Sequence, residues 1–467
     1  MEKFKKLKDQ RAWAQACDPG CFVRSPFDKR DRFGAVRVRQ RRTKTHIRTT
    51  STLAALSALG LMSTLAGCGA GETDGQKVTL KLVAADYGDS KANSSQKYWD
   101  DLVTAYEKDH PDVEIDVTVH SWNDIDREVK KMVDAGEAPD MAQIGTFADY
   151  AAAGKLYEVD DLLSIPVQGN FLGQLANAGK VRRASYGMPF AASTRVLFYN
   201  KKLFAKAGID DAPRTWGELA ADAEALRAAG TKTPYALPLG PEEAQAETMQ
   251  WLLSGGAGYV DNVGTYQLNS DDNVRTFTWL KKELVDKGLT GPTAPGKLNR
   301  ADAFEAFTRG EVGMLNGHPS LMKMAEDKGV EFGTAALPGR EGRSRSALGV
   351  TDWMMAFKQN GNQEEIGDFL DYVYADKNVL AFSREYDLLP VTSSASQAMA
   401  GDEDAADLTP FLTELPSAEL YPAGKTSWAE VSAAVKRDIG TAVSSNAKPR
   451  VVLERLQETA TAAGRED

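Results

Sequence analysis

Apolar residues near the start of the folded region alternate between the period of a strand and the period of a helix. Val78, Leu80 and Leu82 are separated by polar residues, which is the period-two pattern of a half-buried strand. The next apolar residues recur at i, i+3, i+4 and i+7, which predicts one face of a helix ending at the His110-Pro111 step: Trp99, Leu102, Val103 and Tyr106. A second period-two run follows at Val113, Ile115, Val117 and Val119. Strand, helix and strand at this spacing predict a βαβ unit and an α/β fold.

The same alternation continues along the chain. A second helix is predicted from the spacing of Ile125, Val129, Met132 and Val133, and Pro139-Asp140 lead into a short buried strand over 141–144. Further on, Thr215 is a predicted N-cap, and Glu218 completes a capping box. The apolar face of that helix holds Trp216, Leu219, Ala220, Ala223 and Leu226. We find no internal repeat.

A basic segment, an apolar run and a small-residue exit precede the folded region. Arg37 to Arg48 supply the basic residues, and the apolar run covers 49–66. The end of the run overlaps the tetrapeptide Leu65-Ala66-Gly67-Cys68. This pattern is typical of a bacterial lipoprotein signal, so we expect cleavage before Cys68 and acylation of its thiol. A permanent transmembrane helix is less favoured, because it needs roughly 20 strongly apolar residues. Two acyl chains would anchor the protein to the extracytoplasmic face of the cell membrane.

The residues before Arg37 fit a signal peptide poorly. Cys17 and Cys21 could be half of a metal site, but no second pair with ligand spacing exists in the sequence. An incidental or mis-started N-terminus is the favoured interpretation. We therefore leave the N-terminal extension and signal, 1–67, and a short tether, 68–76, out of the predicted fold.

The charge of the remaining chain excludes some classes of ligand. The first 67 residues carry 15 Lys and Arg against 5 Asp and Glu, so in a chain of net charge −10 the other 400 residues have a net charge of −20. Such an acidic body repels nucleic acid and anionic lipid. Its length favours two lobes rather than one core. Because Cys68 is its only thiol, no internal disulfide is expected.

Several segments in a fixed order resemble the family-1 sugar-binding proteins of bacterial ABC importers, the group that includes maltose-binding protein. The segments are YEKDHPDV (106–113), Pro139-Asp140, GMPFAASTRVLFYNKKLF (187–204), Ala207-Gly208-Ile209, TWGEL (215–219) and AFTRGEVGML (306–315). Each segment alone is weak evidence. Their order and spacing, combined with a lipoprotein signal, make the resemblance specific.

The resemblance implies two α/β lobes of the periplasmic-binding-protein type (type II), joined by three hinge crossings. We place the crossings near 189–194, 348–351 and 389–392. The N-terminal lobe would comprise 77–190 and 352–388, and the C-terminal lobe 191–351 and 389–467. The implied function is capture of a sugar or oligosaccharide and its delivery to the membrane permease subunits of an ABC importer by a monomer without metal or cofactor.

Ligands of α/β lobes lie at the carboxyl ends of strands, which gives a set of candidate residues in the first lobe. A sugar site requires aromatic platforms beside carboxylates and amides. Trp122 is the first candidate, because it stands at a strand-to-helix junction with no evident core face to fill, although packing on the lobe surface is the alternative. The other candidates after these strands are Tyr87, Asp89, Thr146 and Phe147.

Further candidates come from the crossings and from the second lobe. The first crossing supplies Ser193 and Thr194, which could equally cap or turn the chain. The second supplies Asp352 and Trp353, and Arg384 precedes the third. In the second lobe the candidates are Gln245, Trp251, Asn316 and His318. His318 lies where many relatives of the resembled family have a sugar-stacking Trp. A structural role for His318 is therefore about as well supported as a role in ligand binding.

The sequence favours a binding protein over an enzyme. Downstream of Cys68 the histidines are His110, His120 and His318, without the spacing of a helical zinc pair, and neither a Gly-x-Ser-x-Gly elbow nor a phosphate-binding Gly-rich loop is present. A secreted glycosidase with a carboxylate pair remains an alternative. A ligand sensor for a signalling partner is another.

Overall fold

The computed structural model describes residues 77–88, 91, 93–122, 124–465 and 467. Cys68, the signal and the tether lie outside these residues. The strands are β1 (Val78–Ala85), β2 (Val113–His120), β3 (Met141–Ile144), β4 (Lys180–Val181), β5 (Ala184–Ser185), β6 (Met188–Thr194), β7 (Val196–Asn200), β8 (Thr233–Tyr235), β9 (Val312–Gly317), β10 (Phe332–Ala335) and β11 (Gly349–Ala356).

The helices complete the fold. They are α1 (Ser95–Asp109), α2 (Ile125–Asp134), α3 (Ala148–Ala152), α4 (Ile165–Asn170), α5 (Gly173–Ala178), α6 (Lys201–Ala207), α7 (Trp216–Ala228), α8 (Ala244–Ser254), α9 (Asp271–Trp279), α10 (Arg300–Thr308), α11 (Pro319–Asp327), α12 (Gln363–Val373), α13 (Asp376–Glu385), α14 (Ser393–Ala400), α15 (Thr409–Glu414), α16 (Trp428–Asp438) and α17 (Pro449–Ala463). A π-helical turn, Leu280–Val285, continues α9, and short 3-10 turns lie at Val159–Asp161, Pro295–Lys297, Glu403–Leu408, Leu415–Ser417 and Ile439–Val443.

Local sequence signals explain where the predicted helices begin and which faces they bury. Helix α1 starts after Ser94, whose side chain accepts a hydrogen bond from the Lys97 backbone N–H, and it buries the four predicted apolar residues. Helix α7 carries the predicted capping box between Thr215 and Glu218. Strand β3 occupies the predicted residues and is buried along its whole length. These predictions are confirmed.

The first sheet has the strand order β2-β1-β3-β11-β6. Strands β1, β2 and β3 are parallel, whereas β11 runs antiparallel to β3 and β6. Leu80 and Leu82 of β1 belong to one apolar core, and Val83 and Ala85 to another, so both faces of the sheet are covered. Strands covered on both faces are mainly apolar, so a buried polar residue inside one of them is noteworthy.

The second sheet has the order β10-β7-β9-β8. Strand β7 is antiparallel to β9 and β10, and β8 is parallel to β9. Its core includes Trp216, Trp251 and Phe277 together with residues of α16 and α17. Over the described residues, no helix combines the length and apolarity needed to cross a bilayer.

The two sheets are joined where three segments lie side by side. Strand β6 of the first sheet ends at Thr194 and β7 of the second begins at Val196, so Arg195 alone connects them. Gly349, at the start of β11, pairs with Thr194, and Leu389 forms a bridge with Ala192. The segments predicted as crossings therefore meet in one hydrogen-bonded ladder, and the predicted two-lobed α/β fold is confirmed.

Candidate ligand-binding cleft

The ladder between β6 and β11 has one buried face and one open face. Side chains alternate along each strand, and Val350 pairs with Ser193 while Asp352 pairs with Ala191. Ser193, Val350 and Asp352 are partly exposed, whereas their neighbours Thr194 and Thr351 are buried. This partly exposed face lies where the two sheets join, and it is the candidate floor of a ligand-binding cleft. Arg195, two residues beyond Ser193, projects from the same face as Ser193.

At the first-lobe end of this floor, Asp352 is part of a hydrogen-bonded chain with Tyr87 and Gln143. The Tyr87 hydroxyl donates to Asp352 Oδ2 over 2.7 Å and accepts from Gln143 Nε2 over 2.8 Å. The backbone N–H of Ala85, the last residue of β1, donates to Gln143 Oε1 over 3.0 Å and thus orients the amide. Burial raises the pKa of Asp352 to about 7, and the hydrogen bond from Tyr87 opposes part of the rise.

Aromatic side chains surround Tyr87, the hydrogen-bond partner of Asp352. Trp122 follows β2 and keeps 36% of its surface exposed. The edge of Tyr87 meets Trp122 with ring centroids 5.4 Å apart, and Tyr87 also contacts Phe382 and Tyr386 at 5.1 and 5.6 Å. Trp122 thus contacts Tyr87, whose hydroxyl is bonded to Asp352, and such a combination of aromatic and polar groups can hold the C–H face and the hydroxyls of a sugar.

At the second-lobe end, two arginines and two glutamates form an ion-pair network. Arg195 Nη2 lies 2.6 Å from Glu243 Oε1, and Arg300 Nε lies 2.6 Å from the other carboxylate oxygen of Glu243. Arg300 Nη2 also lies 2.6 Å from Glu242 Oε1. Arg195 is 7% exposed, so its pairing is largely protected from solvent. The two carboxylates balance the two guanidinium charges, so the network as a whole has no net charge.

A buried carboxyl group, Glu247, lies next to this network. Trp251 Nε1 and Asn316 Nδ2 donate to Glu247 Oε1 over 2.7 and 3.0 Å. Burial raises the pKa of Glu247 to about 8, although these two hydrogen bonds and the charge of Arg195 oppose the rise. Glu247 is therefore largely protonated at neutral pH and adds little negative charge to the network.

His318 borders the same network and is neutral at pH 7. Burial, with the charges of Arg195 and Arg300, holds the pKa of its imidazole well below the usual range. Its Nδ1 shares a hydrogen bond of 2.8 Å with the Ser320 hydroxyl, and its ring lies 5.0 Å from that of Phe304. A neutral imidazole can accept or donate a hydrogen bond but does not attract an anion by charge.

Five of the predicted site residues have other roles. Phe147 and Trp353 are 1% and 2% exposed and pack on each other in the first-lobe core. Trp251 is buried in the second-lobe core, and Thr194 is buried with its hydroxyl donating to the Phe411 carbonyl. Arg384 lies at the surface and pairs with Asp402. For these residues the prediction of direct ligand contact is corrected, because their side chains are either enclosed or engaged elsewhere.

The other predicted residues gather at the two ends of the floor. Tyr87, Trp122 and Asp352 form the first-lobe cluster, with Thr146 exposed just beyond β3. In the second lobe, Asn316 is buried and donates to Glu247, and His318 borders the ion-pair network. Gln245 is partly exposed in the first turn of α8, and Ser193 lies on the floor between the two ends. Asp89 lies outside the described residues. Sequence reasoning did not identify Gln143 or Arg300, although a glutamine inside the buried strand β3 was a usable signal.

Comparison with known proteins identifies the family of this chain. The family model for bacterial extracellular solute-binding proteins matches residues 92–379. The chain belongs to this family. A binding protein of Brucella abortus (strain 2308) is 27% identical over 405 residues, which cover 85% of this chain and 95% of that protein. The sn-glycerol-3-phosphate-binding periplasmic protein UgpB of Salmonella typhimurium is 27% identical over 219 residues, 44% of this chain and 49% of that protein.

A solved structure shares the fold. The cyclic alpha-maltosyl-1,6-maltose binding protein of Arthrobacter globiformis superposes with a TM-score of 0.71 at 20% identity, covering 84% of this chain and all of that chain. The family and this neighbour are binding proteins rather than enzymes. Over the described residues, no group of three or more His, Cys, Asp or Glu side chains is arranged to hold a metal ion.

Proposed function

We propose that this protein is the lipid-anchored, extracytoplasmic solute-binding subunit of an ABC importer that captures a sugar or oligosaccharide. The observation that carries the proposal is the open face of the β6–β11 ladder, with a polar cluster at each end. The solute would contact Tyr87, Trp122, Asp352 and Ser193 from one side. It would contact Gln245, Asn316 and His318 from the other, with Thr146 at the rim. Asp89, outside the described residues, stays a predicted contact.

The spacing of the two clusters suits a small saccharide. Asp352 stands opposite Ala191, and Arg195 lies four residues further along the chain. At the rise of an extended strand this separates the two ends of the floor by about 13 Å. One to two sugar rings span such a distance. The indole of Trp122 would stack on a ring while carboxylate and amide groups bind its hydroxyls.

The chemistry of the proposal is reversible binding, with no covalent step. Solute that touches both clusters stabilises the closed arrangement of the lobes, because only that arrangement satisfies both sets of contacts. Closure would rotate the lobes about the three crossings. We propose 77–190 with 352–388 and 191–351 with 389–467 as the two moving bodies.

A thermal-shift screen tests the binding. Residues 69–467, which include the compact unit Thr73–Asp467, are heated with mono- and oligosaccharides, glycerol phosphates, amino acids and peptides. A specific solute raises the midpoint according to its concentration relative to its dissociation constant. We expect a saccharide to do so and to be recovered unchanged by chromatography. Glycerol 3-phosphate is included because the relative UgpB is named for binding it.

The anchor and the delivery step need separate experiments. The full chain, expressed in a bacterium with labelled palmitate, is expected to acquire label and to sediment with membranes, and Cys68→Ser should abolish both.

Deletion of the chromosomal copy should abolish uptake of the radiolabelled solute. If uptake persists while binding in vitro is intact, a role in sensing replaces the role in import.

A further inference from the structure

An open cavity lies on the second lobe, outside the candidate ligand-binding cleft. Its volume is about 440 Å³, which is within the range of small-molecule pockets. One wall is a face of α9 and of the π-helical turn that continues it. The other walls are the starts of α7 and α17 and the loop between β10 and β11. None of the residues that line this cavity belongs to the candidate cleft.

Two tryptophans form the apolar part of the cavity. Trp216 is buried, whereas Trp279, at the end of α9, is half-buried. Their ring centroids lie 4.9 Å apart with 33° between the planes, and Trp279 also lies 5.9 Å from Trp251 of the core. These contacts hold the indole of Trp279 in place. Its exposed part borders the cavity, where a planar ring can stack on it.

Cationic side chains outnumber acidic ones around the cavity. Four Lys and Arg line it against three Asp and Glu: Arg275, Lys282, Arg340 and Arg450 against Asp271, Asp272 and Glu283. Arg275 Nη2 and Arg340 Nη1 both donate to Asp272 Oδ1, so one carboxylate serves two guanidinium groups. Glu341 lies 3.9 Å from Arg340 Nε but is 87% exposed, which weakens that pair. Lys282 has no ion pair within the described part of the chain. The cavity is thus locally positive, although the 400 residues that contain it have a net charge of −20.

Gly217, the second residue of α7, leaves the cavity open. A Cβ added there would meet only Thr215 Oγ1, at 3.8 Å, so no neighbouring atom requires a glycine. Its φ is not in the left-handed region either. Glycine is unfavourable in a helix compared with alanine, so neither packing nor backbone geometry explains this residue. What the missing side chain provides is free space beside the two tryptophans.

The chemistry of the cavity favours an aromatic carboxylate as its ligand. The ring of such a ligand can stack on Trp279, and its carboxylate can accept from the guanidinium N–H groups of Arg275 and Arg340 that Asp272 leaves free. A neutral sugar would leave the positive charge unmatched. An inorganic anion would leave the indole uncovered, and an aromatic cation would be repelled.

We propose that this cavity is a second ligand site, separate from the cleft, that binds small aromatic carboxylates. Trp279 provides the stacking surface, and Arg275 with Arg340 binds the carboxylate. The inference does not depend on the proposed capture of a sugar, because the two sites share no residue.

Isothermal titration calorimetry of residues 69–467 with four probes tests the class of ligand. The probes are indole-3-acetate, which is an aromatic carboxylate, its alcohol analogue tryptophol, its amine analogue tryptamine, and acetate, which has no ring. We expect indole-3-acetate to bind roughly 10-fold or more tightly than each of the other three, because only it satisfies both the indole and the guanidinium groups. Absence of binding by indole-3-acetate, or equal binding by tryptophol or acetate, refutes the proposal.

Two variants locate the site, each with a matched control. Gly217→Leu places a branched side chain in the cavity, and its control is Gly173→Leu in the first lobe, where an added Cβ meets nothing within 4 Å. Arg275→Gln removes one of the two guanidinium groups. Its control is Arg127→Gln, which breaks a similarly exposed ion pair of the same i, i+3 spacing.

Gly217→Leu should abolish binding of indole-3-acetate, and Arg275→Gln should weaken it roughly 5- to 10-fold, while both controls keep the wild-type affinity. Wild-type affinity in Arg275→Gln refutes the proposed carboxylate contact. Because Arg275 is exposed, this variant decides the question if Gly217→Leu does not fold. Loss of binding in Trp122→Ala but not in Gly217→Leu would place the probe in the cleft and refute the second site.

Discussion

Asp352 is partly exposed as a residue, but its carboxyl group is enclosed beside Tyr87, and it predicts a contribution to stability that falls as the pH rises. Burial raises its pKa in the folded protein to about 7, whereas an unfolded Asp titrates near its usual value of about 4. The folded state therefore binds the proton more tightly than the unfolded state does. The contribution of Asp352 to stability is most favourable below about pH 4 and declines up to about pH 7, where the folded protein also loses the proton.

Replacing Asp352 by Asn isolates this effect, because an amide cannot ionise and its oxygen can still accept from the Tyr87 hydroxyl. Each unit of pKa difference corresponds to about 1.4 kcal/mol, and the window between pH 5 and pH 7 contains about two units. Relative to wild type, Asp352→Asn should gain roughly 2–3 kcal/mol of unfolding free energy between pH 5 and pH 8. Saccharide affinity should decrease at the same time, because the amide NH₂ replaces an acceptor.

Urea unfolding of ligand-free protein at pH 5, 6, 7 and 8 measures the effect, with the exposed Asp116→Asn as the control for general charge changes. Glu247 titrates in the same range, but it is present in every variant and cancels in the comparison. If the free-energy difference between Asp352→Asn and wild type is the same at pH 5 and pH 8, the carboxyl group is not held in a desolvated site. The enclosed environment of the Asp352 carboxyl group beside Tyr87 and Gln143 would then be wrong.

Three further substitutions distinguish binding residues from structural ones. Trp122→Ala should weaken saccharide binding by about 1–3 kcal/mol in calorimetry with little change in the melting midpoint, and a lowered midpoint with intact affinity would make Trp122 a packing residue. Trp353→Ala should lower the unfolding free energy by about 3–5 kcal/mol in urea, because it empties a core site, and retained stability would contradict its burial. Thr215→Ala should cost about 1 kcal/mol of unfolding free energy through loss of the α7 cap, whereas an unchanged midpoint would show that the capping box is dispensable.

Periodicity predicted the framework well because it records burial directly. The four apolar residues of α1 were readable from spacing, because the i, i+3, i+4, i+7 pattern matches a helix face. Strand β3 was readable as a short buried segment that follows Pro139-Asp140. The capping box of α7 was readable for the same reason: its two partners are only three residues apart.

The site was predicted less well, because adjacent residues on a strand face opposite ways. Ser193 and Thr194 were both expected at the ligand, as were Asp352 and Trp353. Alternation allows only one of each pair to reach the open face, and which one depends on the register between β6 and β11. The pairing of Arg300 with Glu242 joins residues 58 positions apart, and neither residue carries a local signal of that contact.

Arg195 connects the two sheets at the predicted hinge, and its side chain belongs to the second-lobe ion-pair network. Its backbone is the only residue between β6 of the first sheet and β7 of the second, so rotation of the lobes must change the backbone torsion angles at or beside it. Its side chain is fixed to Glu243 of the second lobe and buried. The guanidinium group therefore moves with the second lobe while its backbone remains joined to the ladder that carries Asp352. A solute that bridged Asp352 and Arg195 would contact side chains fixed to different lobes, and it would shift the balance toward closed lobes only by as much as it binds that arrangement more tightly than the open one.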